Sequence, residues 1–152
     1  MDVDEEADLT SKILIVDDNQ LNIEALSQLL LQFGLASSYA CSGPQAIRMV
    51  KNRLNQEGLH PYQLIFCDYS MPKMDGFACV RQIRNDITHL RVVSQRDDIR
   101  LPFFCCITAY DKEQVSKKAT ISGMNYTMMK PIFKEQLDEF FLSSGLDLLS
   151  DD

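Results

Sequence analysis

The sequence predicts one α/β domain, a parallel sheet wrapped by helices. Two observations carry this. Short apolar runs alternate five times with segments of helical periodicity, and 152 residues suit a single domain with a substantial core. The strands read at about 12–16 (KILIV), 35–40 (LASSYA), 62–67 (YQLIFC), 102–107 (PFFCCI) and 125–129 (NYTMM). Runs one, three and four are almost wholly apolar, as strands covered on both faces must be, whereas LASSYA and NYTMM mix in polar residues and belong at the edges. An order of 2-1-3-4-5 puts strands two and five outermost. That is the flavodoxin-like doubly wound arrangement, with five strands and five helices.

The first helix, about 20–33, carries Ile23, Leu26, Leu30 and Phe33 on one face. The second, about 44–54, carries Ile47, Val50 and Leu54, and Pro44 suits its first turn. Asp75 before Gly76 reads as the cap of a third helix with Phe77, Val80 and Ile83 inward, and Asp111 followed by Gln114 predicts a capping box opening the fourth. Phe133 to Leu142 makes a short fifth. THLRVVSQRDDIR exceeds the roughly 2 to 6 residues that usually link a helix to a strand in such units, so an insertion is expected at about 87–101. The domain is then 11–143, between acidic tails at 1–10 and 144–152.

Composition narrows the function classes. Hydrophobic residues make up 45% and charged residues 24%, the profile of a soluble globular chain, and no apolar run approaches the roughly 20 residues of a membrane helix. The net charge of -7 is concentrated in Asp2, Asp4, Glu5, Glu6, Asp8, Asp151 and Asp152, and removing these seven acids leaves 15 against 15. A near-neutral body offers neither a phosphate-tracking groove nor a polybasic patch, so no nucleic acid and no direct membrane contact are expected. The acidic N-terminus lacks the features of a secretory signal, and a cytoplasmic location follows. Five cysteines without a C-x-x-C pair read as reduced core residues, and His60 and His89, standing alone, argue against zinc or Cys-His chemistry. Met71, Met74, Met128 and Met129 read as packing.

In a parallel sheet the C-terminal strand ends share one edge, and ligands bind where strand order reverses. Strand one delivers Asp17 and Asp18, strand three Asp68, strand four Thr108, and strand five Lys130 followed by Pro131. Strand two ends in Ala40 and Cys41 and offers nothing. Converging carboxylates repel one another, and a divalent cation resolves the conflict, with oxygen ligands favouring Mg2+. Lys130 adds a flexible cation and Thr108 a hydroxyl. Acids, metal, ammonium and hydroxyl together suit phosphoryl transfer, with Asp68 as the carboxylate nucleophile that becomes an aspartyl-phosphate.

The blocks ILIVDDN, LIFCDYSMPKMDG, ITAY and MKPI, in that order and spacing, closely resemble the receiver domain of two-component response regulators over about residues 11–143. The resemblance implies that Asp68 accepts a phosphoryl group from a phosphohistidine on a histidine kinase or histidine phosphotransfer protein. It implies that Asp18 and Asp68 bind Mg2+ directly, Asp17 mostly through water and Ser70 through its backbone carbonyl, with Mn2+ able to stand in. Thr108 and Lys130 would contact the phosphoryl oxygens, the Lys130–Pro131 bond would be cis, and the fourth helix, fifth strand and fifth helix would form the switching surface. Such a chain catalyses its own phosphorylation and dephosphorylation without being a multiple-turnover enzyme. DDNQLN and GMNYTMMKPI look most like receivers at the C-terminal end of hybrid histidine kinases. With no output domain after Leu142, the chain reads as a free-standing relay protein or a receiver cut from a larger kinase, the acidic start being a former linker.

Two positions depart from the family pattern. Receivers often carry an aromatic three residues before the strand-five lysine; here Thr127 stands there, and Tyr126, one residue earlier, falls on the opposite face. Phosphorylation should therefore rearrange the fourth helix through Thr108 without a tyrosine swing. Ser70 and Tyr110 should flank the path of the hydrolytic water, with Tyr110 prolonging the phosphorylated state. Leu21 and Ala25 read either as scattered surface apolarity or as a docking patch for the helix bundle presenting the donor histidine. The rival functions are a flavodoxin, for which the acids after strand one are wrong; an aspartyl-nucleophile phosphohydrolase, which would usually want an acid where Ser70 stands; and a degenerate receiver that only binds.

Overall fold

A computed structural model describes residues 11–56 and 61–149; the acidic tail at 1–10, His60, Asp151 and Asp152 lie outside the described residues. The strands are β1 (Ile13–Val16), β2 (Ser37–Ala40), β3 (Leu64–Asp68), β4 (Phe103–Thr108) and β5 (Tyr126–Met129). The helices are α1 (Gln20–Gln32), α2 (Gly43–Leu54), α3 (Gly76–Ser94), α4 (Lys112–Ser122) and α5 (Lys134–Ser144). All neighbouring strands pair in parallel in the order β2-β1-β3-β4-β5, the flavodoxin-like topology. The apolar runs lie in the three inner strands and the mixed ones at the edges, as their composition requires.

Side chains alternate across the pleat and build two cores. Ile13, Ile15, Leu64, Phe66, Cys105 and Ile107 pack against Ile23, Leu26 and Leu30 of α1 and Leu137 and Phe140 of α5. On the other face Leu14, Val16, Ile65, Cys67, Phe104 and Cys106 pack against Val50 of α2, Phe77, Val80 and Ile83 of α3, and Val115 and Ala119 of α4. Phe140 is the hub of the first face. Its ring lies 5.9 Å from Phe66, 5.7 Å from Phe103, 4.9 Å from Tyr126 and 5.2 Å from Phe141. Phe33, expected inward on α1, is only half-buried and packs on Phe141 at 5.4 Å.

Several boundaries differ from the sequence reading for local reasons. Leu35 closes α1 instead of opening β2: Gly34, at φ 76°, donates its N–H to Leu31, Leu35 donates to Leu30, and Leu35 turns into the core. Strands β3 and β4 each run one residue further and take Asp68 and Thr108 into the ladder. Much of the stretch expected as an insertion is helix. No Gly or Pro interrupts residues 77–101, and Ile87 and half-buried Leu90 continue the inward face of Ile83, so α3 runs to Ser94 and stops at left-handed Gln95. Asp111 caps α4 through the Glu113 N–H at 2.9 Å rather than through the expected box with Gln114. At α5, Gln136 Oε1 accepts from the Phe133 N–H at 2.6 Å, while its Nε2 donates to the Met129 carbonyl at 3.0 Å.

The segment from 144 onward, expected as a tail, is docked at least as far as Leu148. That side chain is buried in the α1/α5 core, and its carbonyl accepts from Lys12 Nζ at 3.0 Å, beside the start of β1. Among the methionines Met71 and Met128 are buried and Met74 half-buried, but Met129 is exposed. Cys67, Cys79, Cys105 and Cys106 are free and buried, and Cys41 is free and exposed.

Candidate functional site

At the C-terminal edge of the sheet, β1 ends at Asp17 and Asp18 and β3 at Asp68. One carboxylate oxygen from each lies within 4.8 Å of the others. Asp17 and Asp68 are buried, at 3% and 5% exposure, while Asp18 is open to solvent. Asp17 is held by the Asn19 N–H at 2.9 Å; the Asn19 side chain in turn accepts from Leu21 and Asn22 and starts α1. Asp68 accepts from the Ser70 N–H at 3.4 Å.

Lys130 enters from the opposite side of the cluster. Its Nζ stands 3.2 Å from Asp17 Oδ2 and 3.3 Å from Asp68 Oδ1. The approach is set by backbone: the Lys130 N–H donates to the Thr108 carbonyl at 2.7 Å, and the Lys130–Pro131 bond is cis. Burial alone would lower the lysine's pKa, but attraction to Asp68 and Asp17 outweighs it and the net movement is upward, so the ammonium stays charged. Burial, and then repulsion from Asp17, push the Asp68 carboxyl up to about 6 against the partial relief that Lys130 gives. One ammonium therefore does not neutralise three acids. An all-oxygen donor set with residual negative charge is what a hard divalent cation requires, and Asp17, Asp18 and Asp68 are the side chains placed to hold one.

Thr108 is fully buried at the end of β4, and its Oγ1 accepts from the Tyr110 N–H at 2.9 Å. With that lone pair engaged, the hydroxyl proton is free to be donated towards the carboxylate edge.

The response regulator receiver domain family matches residues 13–141. The osmosensing histidine protein kinase SLN1 of Saccharomyces cerevisiae is 31% identical over 135 residues, covering 88% of this chain and 10% of the kinase. Hybrid signal transduction histidine kinase L of Dictyostelium discoideum is 32% identical over 139 residues, covering 90% of this chain and 7% of that protein. The chain belongs to the response regulator receiver family, the receivers of two-component phosphorelay signalling. The co-crystal structure of the S. cerevisiae histidine phosphotransfer protein Ypd1 with the receiver domain of Ssk1 matches with a TM-score of 0.72 and 27% identity, covering 91% of this chain and 92% of the matched one. This receiver spans about a tenth or less of the two kinases it resembles.

The receiver brings Asp17, Asp18, Asp68 and Lys130 into one cluster, with Thr108 on the same sheet edge and Ser70 attached to Asp68 through its amide. Tyr126 packs on Phe140, on the α1/α5 face, and with Thr127, Lys112, Ser116, Thr120, Met124 and Asn125 also lines a groove of about 200 Å³ beside α4. Leu21 and Ala25 are both exposed on α1. Two features escape a sequence reading. A Cβ on Gly76 would lie 2.4 Å from the Asp68 carbonyl oxygen, so α3 reaches the acid loop only because residue 76 has no side chain. The glycine in KMDG was the available signal, though it reads equally well as a plain helix start. The second is an aromatic contact between Tyr69 and Tyr110, at 5.7 Å and edge to face.

Proposed function

We propose that this receiver, over about residues 11–143, takes a phosphoryl group onto Asp68 from the phosphohistidine of a histidine kinase or a histidine phosphotransfer protein. The observation that carries the reading is Lys130 Nζ set between Asp17 and Asp68 in a cluster too acidic for one ammonium to neutralise. An Asp68 carboxylate oxygen attacks phosphorus, the P–N bond to the donor imidazole breaks, and the electron pair leaves with the imidazole nitrogen. Mg2+, held by Asp17, Asp18, Asp68 and the Ser70 carbonyl, would supply positive charge against the phosphoryl oxygens; Mn2+ has the same preference for oxygen. Lys130 then exchanges a carboxylate partner for a phosphoryl oxygen, and the Thr108 hydroxyl donates to another.

The response passes to the α4, β5 and α5 surface. Leu21 and Ala25, both exposed on α1, are the docking patch for the helix bundle that presents the donor histidine. Tyr110, exposed beside Thr108, shields the acyl phosphate from water. A cytoplasmic setting goes with such a donor, and no helix among the described residues is long and apolar enough to cross a membrane.

The test is incubation with Mg2+ and acetyl phosphate, followed by intact mass. The expected result is a labile adduct of one phosphoryl group that is absent in Asp68→Asn and absent when a chelator is present. Release of phosphate from small esters with no protein adduct would instead support the phosphohydrolase reading.

A further inference from the structure

In this chain Tyr126 falls on the opposite side of the pleat from Thr108 and packs against Phe140 at 4.9 Å, with Lys112 Nζ 5.8 Å from its ring. The aromatics on the loops that leave β3 and β4 beside Thr108 are Tyr69 and Tyr110. Tyr69 directly follows Asp68, extends the ladder by donating its N–H to the Ile107 carbonyl at 2.8 Å, and seats its ring on Phe77 of α3 at 4.9 Å. Tyr110 is 58% exposed, and its ring meets Tyr69 at 5.7 Å and 89°. The backbone N–H of that same Tyr110 fixes the Thr108 hydroxyl.

We infer that Tyr69 is a positioning residue for Thr108, acting through Tyr110. The inference rests on the proposed acceptance of phosphate at Asp68. The chain of contacts is continuous. The Phe77 ring holds Tyr69, Tyr69 holds the Tyr110 ring edge-on, and the Tyr110 amide orients the hydroxyl that meets the incoming phosphoryl oxygens. Tyr110 stands between the end of β4 and the Asp111 cap of α4, and Tyr69 is the ring that holds its exposed side chain, so removing Tyr69 loosens the hold of the Tyr110 amide on Thr108. Because the ring and not the phenol makes the contact, phenylalanine serves in place of Tyr69.

The experiment measures the rate of adduct growth on the full chain with Mg2+ and acetyl phosphate, in the native and Thr108→Ala backgrounds. Tyr69→Leu slows uptake about two- to tenfold in the native background, the factor expected for losing one edge-on aromatic pair. Tyr69→Phe restores most of the rate. In Thr108→Ala neither Tyr69→Leu nor Tyr110→Leu slows the initial rate of uptake further, the shielding by Tyr110 being read separately from the decay of the formed adduct. Tyr110→Leu attacks the contact from its exposed side and keeps the test valid should Tyr69→Leu fold poorly. An equal loss in both backgrounds, or no loss in either, overturns the role of Tyr69 while leaving Asp68 as acceptor. Absence of an adduct on the unaltered chain overturns both.

Discussion

The two faces of the sheet are built on different principles. Against α1 and α5, interlocking rings gather around Phe140 and take in Tyr126 from the edge strand. Against α2, α3 and α4 the core mixes the rings of Tyr62, Phe77 and Phe104 with thiols and other small side chains. Cys67 and Cys106 lie under the end of β3, Cys79 faces them from α3, and Gly43 and Gly76 allow close approach. A hydrogen bond with Cys79, and then burial, hold the Cys67 thiol well above its ordinary range, so it stays a neutral packing group. One face is fixed by large rings. The other sets the Tyr69 and Phe77 pair beside small side chains under the end of β3.

Phe140→Ala breaks the contrast most severely. It should cost about 3–5 kcal/mol, measured by denaturant unfolding, because one ring supports four others. Gly76→Ala tests the other face. The added Cβ meets backbone rather than a flexible side chain, so a loss of about 1–3 kcal/mol is expected, with slower adduct formation because the Asp68 loop must shift. If the alanine variant matches the parent in both stability and uptake, the close approach has no consequence.

The charge on the acidic edge gives a smaller, pH-dependent effect. Asp68 has its carboxyl raised from 3.8 to about 6 in the fold, so the folded state resists ionising it. The sign follows from proton linkage: this group's contribution to stability is complete below about pH 4 and is lost as pH rises through about 6. Without divalent ions the Tm should fall between about pH 4 and pH 6, and Asp68→Asn should flatten that fall. Added Mg2+ should raise the Tm more at the higher pH. Equal gains at both would mean that the ion does not answer the carboxylate charge. Smallest of all is Tyr126→Phe, which keeps the ring on Phe140 and should stay within about 0.5 kcal/mol, with unchanged uptake of phosphate. A Tyr126 ring that changes rotamer on phosphorylation would remove the distinction between the faces.

Most of the architecture was legible because strand burial is written in composition: ILIV and LIFC cannot be edges, and SSYA can. The acids and the lysine were legible because parallel strands deliver their last residues to one edge. What escaped depended on loops meeting one another. Nothing in the spacing of Tyr69 and Tyr110, on separate strand exits, says that their rings touch, and the two extra turns of α3 carry exposed Val92 and Val93, which blur the helical period beyond Ile87. The docking of Leu148 was hidden for the same reason, since Leu146, Leu148 and Leu149 stand in a stretch too short and polar to show a helical or strand period.

The bond between Lys12 and the Leu148 carbonyl gathers both boundaries of the described body beside the start of β1, at the end of the sheet opposite the carboxylates. Both ends of the described body therefore meet at one pole of the sheet and the acidic rim occupies the other, so the first and last described turns are braced away from the carboxylates.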